Sequence, residues 1–222
     1  MRASWKITAA VAALALAVPV WAQFGPRTPG INGVFHPVVG QGAAYEMKGH
    51  DSGVKEMEIA VVGKEDYQGQ TGYWLETSFQ GSEHGPGAVK MLMVMEGANP
   101  GAKRMIMMMN GQAYEFPMNN PMMGSRMAQS APHDIRTDKS IARVGTETIT
   151  VPAGTFSCEH YRATDGSSEF WISDKVSPWG LVKSVSKENT MILTRQITDA
   201  KSKITGPVKP FNPMEMMQQQ HP

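Results

Sequence analysis

The chain has 222 residues, with 21 Lys+Arg against 20 Asp+Glu, a single cysteine and 18 methionines. A near-neutral balance without a local basic run excludes the charged face that nucleic-acid binding needs. A lone Cys158 excludes an internal disulfide, so the fold must rest on packing.

The first 22 residues, "MRASWKITAAVAALALAVPVWA", have the form of a secretory leader. Arg2 and Lys6 give the charged start, residues 7–20 the apolar middle, and Val20-Trp21-Ala22 the small-x-small cleavage pattern. Cleavage after Ala22 removes those two basic groups, leaving 19 Lys+Arg against 20 Asp+Glu, a net charge of −1. The new first residue is Gln23, not Cys, so no lipid anchor is expected. No later stretch approaches the apolar length of a spanning helix. The expected location is periplasmic or secreted, as one domain.

Residues 23–41, "QFGPRTPGINGVFHPVVGQ", are rich in Gly and Pro without period and are expected to form an arm. A β domain is expected over 42–204. Runs of period two punctuated by Gly, Pro, Asn and Asp predict strands at 43–50, 53–63, 71–80, 88–96, 103–110, 141–151, 155–163, 168–174, 181–187 and 190–198. No segment between them suits a βαβ crossover, so an antiparallel sheet of about ten strands is expected. "VPAGTF" (151–156) and "SPWGL" (177–181) are connections in which Pro presets φ and Gly permits a positive one. Residues 117–140, with Met118, Met122, Met123 and Met127, break the rhythm and predict a loop or short helix after Pro121 that acts as a lid. Residues 205–222 read as an irregular tail.

"KMLMVMEGANPGAKRMIMMMNG" (90–111) predicts a hairpin. With the turn centred on Pro100, Met91 faces Met109, Met93 faces Met107 and Met95 faces Met105, six sulfurs on one side. Leu92, Val94, Ile106 and Met108 occupy the other. Both sides are apolar, so both must be covered: one by a core, the other by the long loop, the tail or a ligand. Methionine is a poor strand former but adapts to irregular partners better than Leu or Ile.

"VGTETITVPAGTFSCEHYR" (144–162) with "FWISDKVSPWGLVKS" (170–184) resembles the second half of the periplasmic lipoprotein carriers LolA and LolB, and more closely the secreted families sharing their architecture. The resemblance covers some forty residues. It implies an all-β fold with little helix: a single strongly curved sheet or incomplete barrel whose concave side holds acyl chains under a lid.

No zinc helix, nucleophile elbow or phosphate loop is present, so no enzyme and no cofactor is expected. "GHDSG" (49–53) reads as a polar turn, and Glu56 and Glu58 as a solvent-facing pair. Trp74, Trp171 and Trp179 are expected to pack or brace turns. Cys158 is expected as a small buried residue, the sharper alternative being a reactive thiol paired with His160. The expected function is non-catalytic binding of an apolar ligand: a lipid, an acyl chain or an apolar peptide surface. Met91, Met93, Met95, Met105, Met107 and Met109 would line the site, with Met118, Met122, Met123 and Met127 over it. The alternative is Cu(I) binding by the same soft thioethers; reversible oxidation of the loop methionines is a third reading.

Overall fold

The period-two runs fold as strands. The computed structural model describes residues 32–49, 55–80, 87–97, 99–109, 111–118 and 133–212. Twelve strands form one sheet: β2 (Gly42–Gly49), β3 (Glu56–Tyr67), β4 (Gln70–Gln80), β5 (Gly87–Glu96), β6 (Asn99–Met109), β7 (Gln112–Phe116), β9 (Ile141–Val151), β10 (Gly154–Ala163), β11 (Ser168–Ile172), β12 (Leu181–Ser186), β13 (Asn189–Ile197) and β14 (Val208–Pro210). Two short strands, β1 (Asn32–Gly33) and β8 (His133–Asp134), pair in parallel beside it. The order is β14-β7-β6-β5-β4-β3-β2-β13-β12-β11-β10-β9, strongly curved and not closed into a barrel. All neighbours are antiparallel except β14 with β7.

Each of the ten expected runs is a strand. β7 and β14 are additions, the second inside the stretch read as an irregular tail. The turns follow local chemistry. Between β3 and β4, Gln68 and Gly69 both take positive φ (53° and 81°), as a two-residue hairpin matching the strand twist requires. Gly154 and Gly180, the glycines of the two sequence-legible connections, also take positive φ.

The main core lies on the inner face. Tyr45, Met47, Met57, Ile59, Val61, Leu75, Phe79, Met93, Met191 and Leu193 pack there from consecutive strands. Three non-strand pieces close over them. The arm brings Val34 and Phe35, a 3-10 turn (Ile135–Thr137) brings Ile135, and the β11–β12 connection brings Val176 and Trp179. Burying each large apolar side chain contributes about 1.5–3 kcal/mol, so the fully buried Ile135, Val176 and Trp179 make the last two inserts integral to the fold, while Val34 and Phe35 of the arm are only partly buried. Tyr45 is buried, but its hydroxyl donates to Leu181 O at 2.9 Å, which removes the penalty of an unpaired polar group.

The outer face has a different cover. Beyond β13, residues 198–207 cross behind β3, β4, β5 and β6 to reach β14, forming a strap. Lys203 donates from its ammonium to Glu58 on β3 and to Ser78 on β4. Its backbone N–H donates to Glu76 at 2.7 Å, and Ser202 Oγ donates to the same carboxylate at 2.5 Å. Ile204 then packs with Ile106, Ala113, Trp74, Ala88 and Met108. Glu58, expected in solvent, is thus drawn into an ion-pair cluster with Lys203 and Arg195.

Candidate functional site

The methionine hairpin forms, in a shifted register. Glu96 pairs with Asn99, so the chain reverses between these two and not around Pro100, which lies in β6 opposite Met95. A tight reversal needs positive φ at its first central position; Gly97 takes 66°, whereas proline is locked near −65°. Lys103 is then the unpaired residue of a bulge, between Leu92↔Arg104 and Met93↔Ala102. None of the three expected methionine pairs forms; the one opposed pair along β5 and β6 is a different one, Met91 with Met105. Met93 faces Ala102, Met107 faces Val89 and Met109 pairs with Gln112 on β7. Past the bulge the shift is four residues, an even number, so all six sulfurs still share the inner face.

Their environments are unequal. Met93, 1% exposed, belongs to the main core, and Met105 is buried at 5%. Met91, Met107 and Met109 are half-buried, while Met95, beside the turn, is 41% exposed. The opposite face carries Leu92, Val94, Ile106 and Met108 as expected, and the strap is what covers Ile106 and Met108.

At the β14 end the inner face runs into an aromatic group. Met105 pairs with Phe116 and Met107 with Tyr114. Phe211, just past β14, stacks on Phe116 with centroids 4.1 Å apart and meets Tyr114 edge-on at 6.3 Å. Around these rings lies a cleft of about 400 Å³, lined by Phe116, Pro117, Met118, Val208, Pro210 and Phe211, with Lys103, Arg104 and Glu115 at its polar side. Its volume lies in the range of small-ligand sites, but it is open to solvent rather than enclosed. Arg104 bridges Glu115 at 2.6 Å and Glu65 at 2.9 Å, and sits over the Trp74 ring at 5.1 Å. The cations of the cleft are thus largely neutralised from within, Lys103 by Glu96.

Of the expected lid residues, Met118 lines this cleft, while Met122, Met123 and Met127 lie outside the described residues. His50, Asp51 and Ser52 lie outside them too. Phe116, Val208 and Phe211 were not singled out from the sequence; the pairs Phe116-Pro117 and Pro210-Phe211, aromatics beside strand-ending prolines, are the only local signal.

Cys158 is buried, and burial, with Glu147 nearby, pushes its thiol up to about 11. A thiolate nucleophile needs the opposite shift. Its expected partner His160 is engaged elsewhere: the ring stacks on Trp171 with centroids 4.6 Å apart, and Nε2 lies 2.7 Å from Glu169. Trp171 donates its indole N–H to Glu147 at 2.7 Å. Among the described residues no His/Cys/Asp/Glu group has the grouping of a metal site, and no helix is long and apolar enough to cross a membrane.

Residues 53–221 match the family described as a domain of unknown function, DUF4412. The chain belongs to that family. No curated protein matches this DUF4412 chain. Two solved structures are similar to it. One is titled a "putative lipoprotein" from Parabacteroides distasonis, with 14% identity, a TM-score of 0.39, and coverage of 75% of this chain and 99% of that one. The other is titled a "putative exported protein with YmcC-like fold" from Bacteroides fragilis, with 15% identity, a TM-score of 0.39, and coverage of 74% and 99%.

Proposed function

We propose that this protein is an exported, non-catalytic binding protein that holds an apolar ligand, an acyl chain or an apolar peptide surface, on the open end of its inner face. The observation that carries the reading is the incomplete cover there. Met91, Met107 and Met109 stay half-buried on a face whose other end is closed, and Met105 on the same face pairs with Phe116, which lines the cleft with Met118 and Phe211. Flexible, polarizable thioethers suit a surface that must fit more than one shape. The ion pairs beside the cleft are already matched, so the reading rests on the apolar face and not on recognition of a charged headgroup. Export rests on the leader-like first 22 residues.

The test is titration of the purified mature protein with a fluorescent sixteen-carbon fatty acid, beside mass spectrometry of lipid extracted from gently purified material. Met107→Glu and Phe211→Glu each place a charge on the proposed surface and should weaken binding at least about tenfold, since an unpaired buried charge is costly. Unchanged affinity in both variants, or no binding by the wild type, defeats the reading. Tight Cu(I) binding in a competition titration, lost in Met91→Leu with Met107→Leu, would replace it with the thioether-metal alternative.

A further inference from the structure

The inner face is closed at its Met93 end by pieces that are not strands, and one of them is held unlike the rest. Residues 32–38 lie extended against the β11–β12 connection. Val34 N–H donates to Trp179 O and His36 N–H to Pro178 O, both at 2.9 Å. β1 adds two parallel pairings, Asn32 with His133 and Gly33 with Asp134. Phe35 packs its ring 4.7 Å from Trp179 and 6.5 Å from Tyr73, whose strand partner is Met93. The segment reads the groove through its backbone plus one aromatic side chain, the way an added strand or extended peptide does.

We infer that residues 32–38 are a displaceable plug in an extended-chain groove, and that lifting the plug joins the Met93 end of the inner face to the half-covered methionines. The ligand half of this inference rests on the binding role proposed above; the motion does not.

Four observations support a plug over a fixed part of the core. Its side-chain ties are weak: Ser177 Oγ meets Val38 N at 3.3 Å and His36 O at 3.4 Å. The His36 ring uses Nδ1 within the plug itself, on Val34 O, and its Nε2 is buried without a partner, as is Trp179 Nε1. Unpaired buried donors and acceptors disfavour the docked state. The segment ends at a hinge: Val38 and Val39 are exposed, and Gly40 turns with φ 84° while its N–H is fixed to Val61 O. Finally, docking demands a glycine. A Cβ at Gly33 would stand 2.1 Å from Trp179 O, a backbone atom that cannot step aside.

The test uses the full chain and two variants, Phe35→Ala, which removes the ring, and Gly33→Ala, which obstructs docking. Amide exchange is read at Val34 and His36, and affinity is read with the same fluorescent sixteen-carbon fatty acid. Expected are exchange at both amides through openings far more frequent than global unfolding, and a rise in probe affinity of about tenfold in each variant, because the competent state is no longer a minor fraction. Exchange at Val34 and His36 only with global unfolding overturns the plug. So does a variant that binds the probe no better than a wild type that does bind it. If no form binds the probe, the ligand role fails and the exchange result alone decides the motion.

Discussion

On the outer side of β3 to β7 the chain covers itself with residues 198–207, fixed by Glu58, Glu76 and Ser78 and sealed by Ile204. On the inner side the same strands meet Phe35, Trp179 and a row of methionines that runs from full burial at Met93 to half-burial at Met91, Met107 and Met109. Both faces are apolar and nearly every rung is shared. The outer cover uses charge-assisted bonds of fixed geometry, which specify one arrangement. The inner cover uses backbone bonds, a ring and thioethers, which tolerate several. Adaptable contacts therefore sit on one side of a surface whose other side is pinned.

The comparison can be broken at its strongest point first. Trp179 is 1% exposed and braces both the plug and the core. Trp179→Ala should cost about 3–5 kcal/mol in urea unfolding. A loss below 1 kcal/mol on that scale would mean the inner insert is not integral. Next comes the strap. Glu76 is 4% exposed and accepts from Ser202 and Lys203 N. Glu76→Ala leaves those donors behind and should lose about 1–3 kcal/mol, with faster amide exchange along 198–207; slow exchange there would show the strap is held by something else.

A pH dependence sharpens the same point. Burial raises the Glu58 carboxyl, but Lys203 and Arg195 together more than reverse this and leave it below its ordinary 4.5. A depressed folded value stabilises above the unfolded one, so the contribution is present at pH 6. It fades as pH falls from about 4.5 through the lower folded value. The urea midpoints of wild type and Glu58→Gln should differ at pH 6 and draw together as pH falls below 4.5. The smallest effect is expected on the inner side: Met107→Leu, nearly volume-conserving and half-buried, should shift stability by under about 1.5 kcal/mol, with any larger change marking Met107 as structural.

Strand existence was legible because alternation is local: "EMEIAVV" in β3 names its own inner face. β7 and β14 were not, since five residues carry little period and "VKP" carries none; β14 exists because Pro210, which lacks an N–H, is tolerated on an edge. Register was missed because Asn-Pro-Gly looks like the better turn. What decides is the single glycine able to take positive φ at the closing pair of Glu96 and Asn99. The shared face of the six sulfurs survived only because the error was even. The strap was beyond sequence reading altogether: "DAKSKITGP" has no period, and its partners Glu58 and Glu76 are 145 and 127 positions away from Lys203.

That separation has a bearing on how the molecule is made. Strands up to β7 leave the ribosome with Ile106, Met108 and Ala88 bare on their back, and Ile204, which shelters them, is translated only after β13. Until residue 204 arrives, a half-built sheet offers a sticky rear surface, and any chain cut short before it should collect in insoluble form, however sound its other elements.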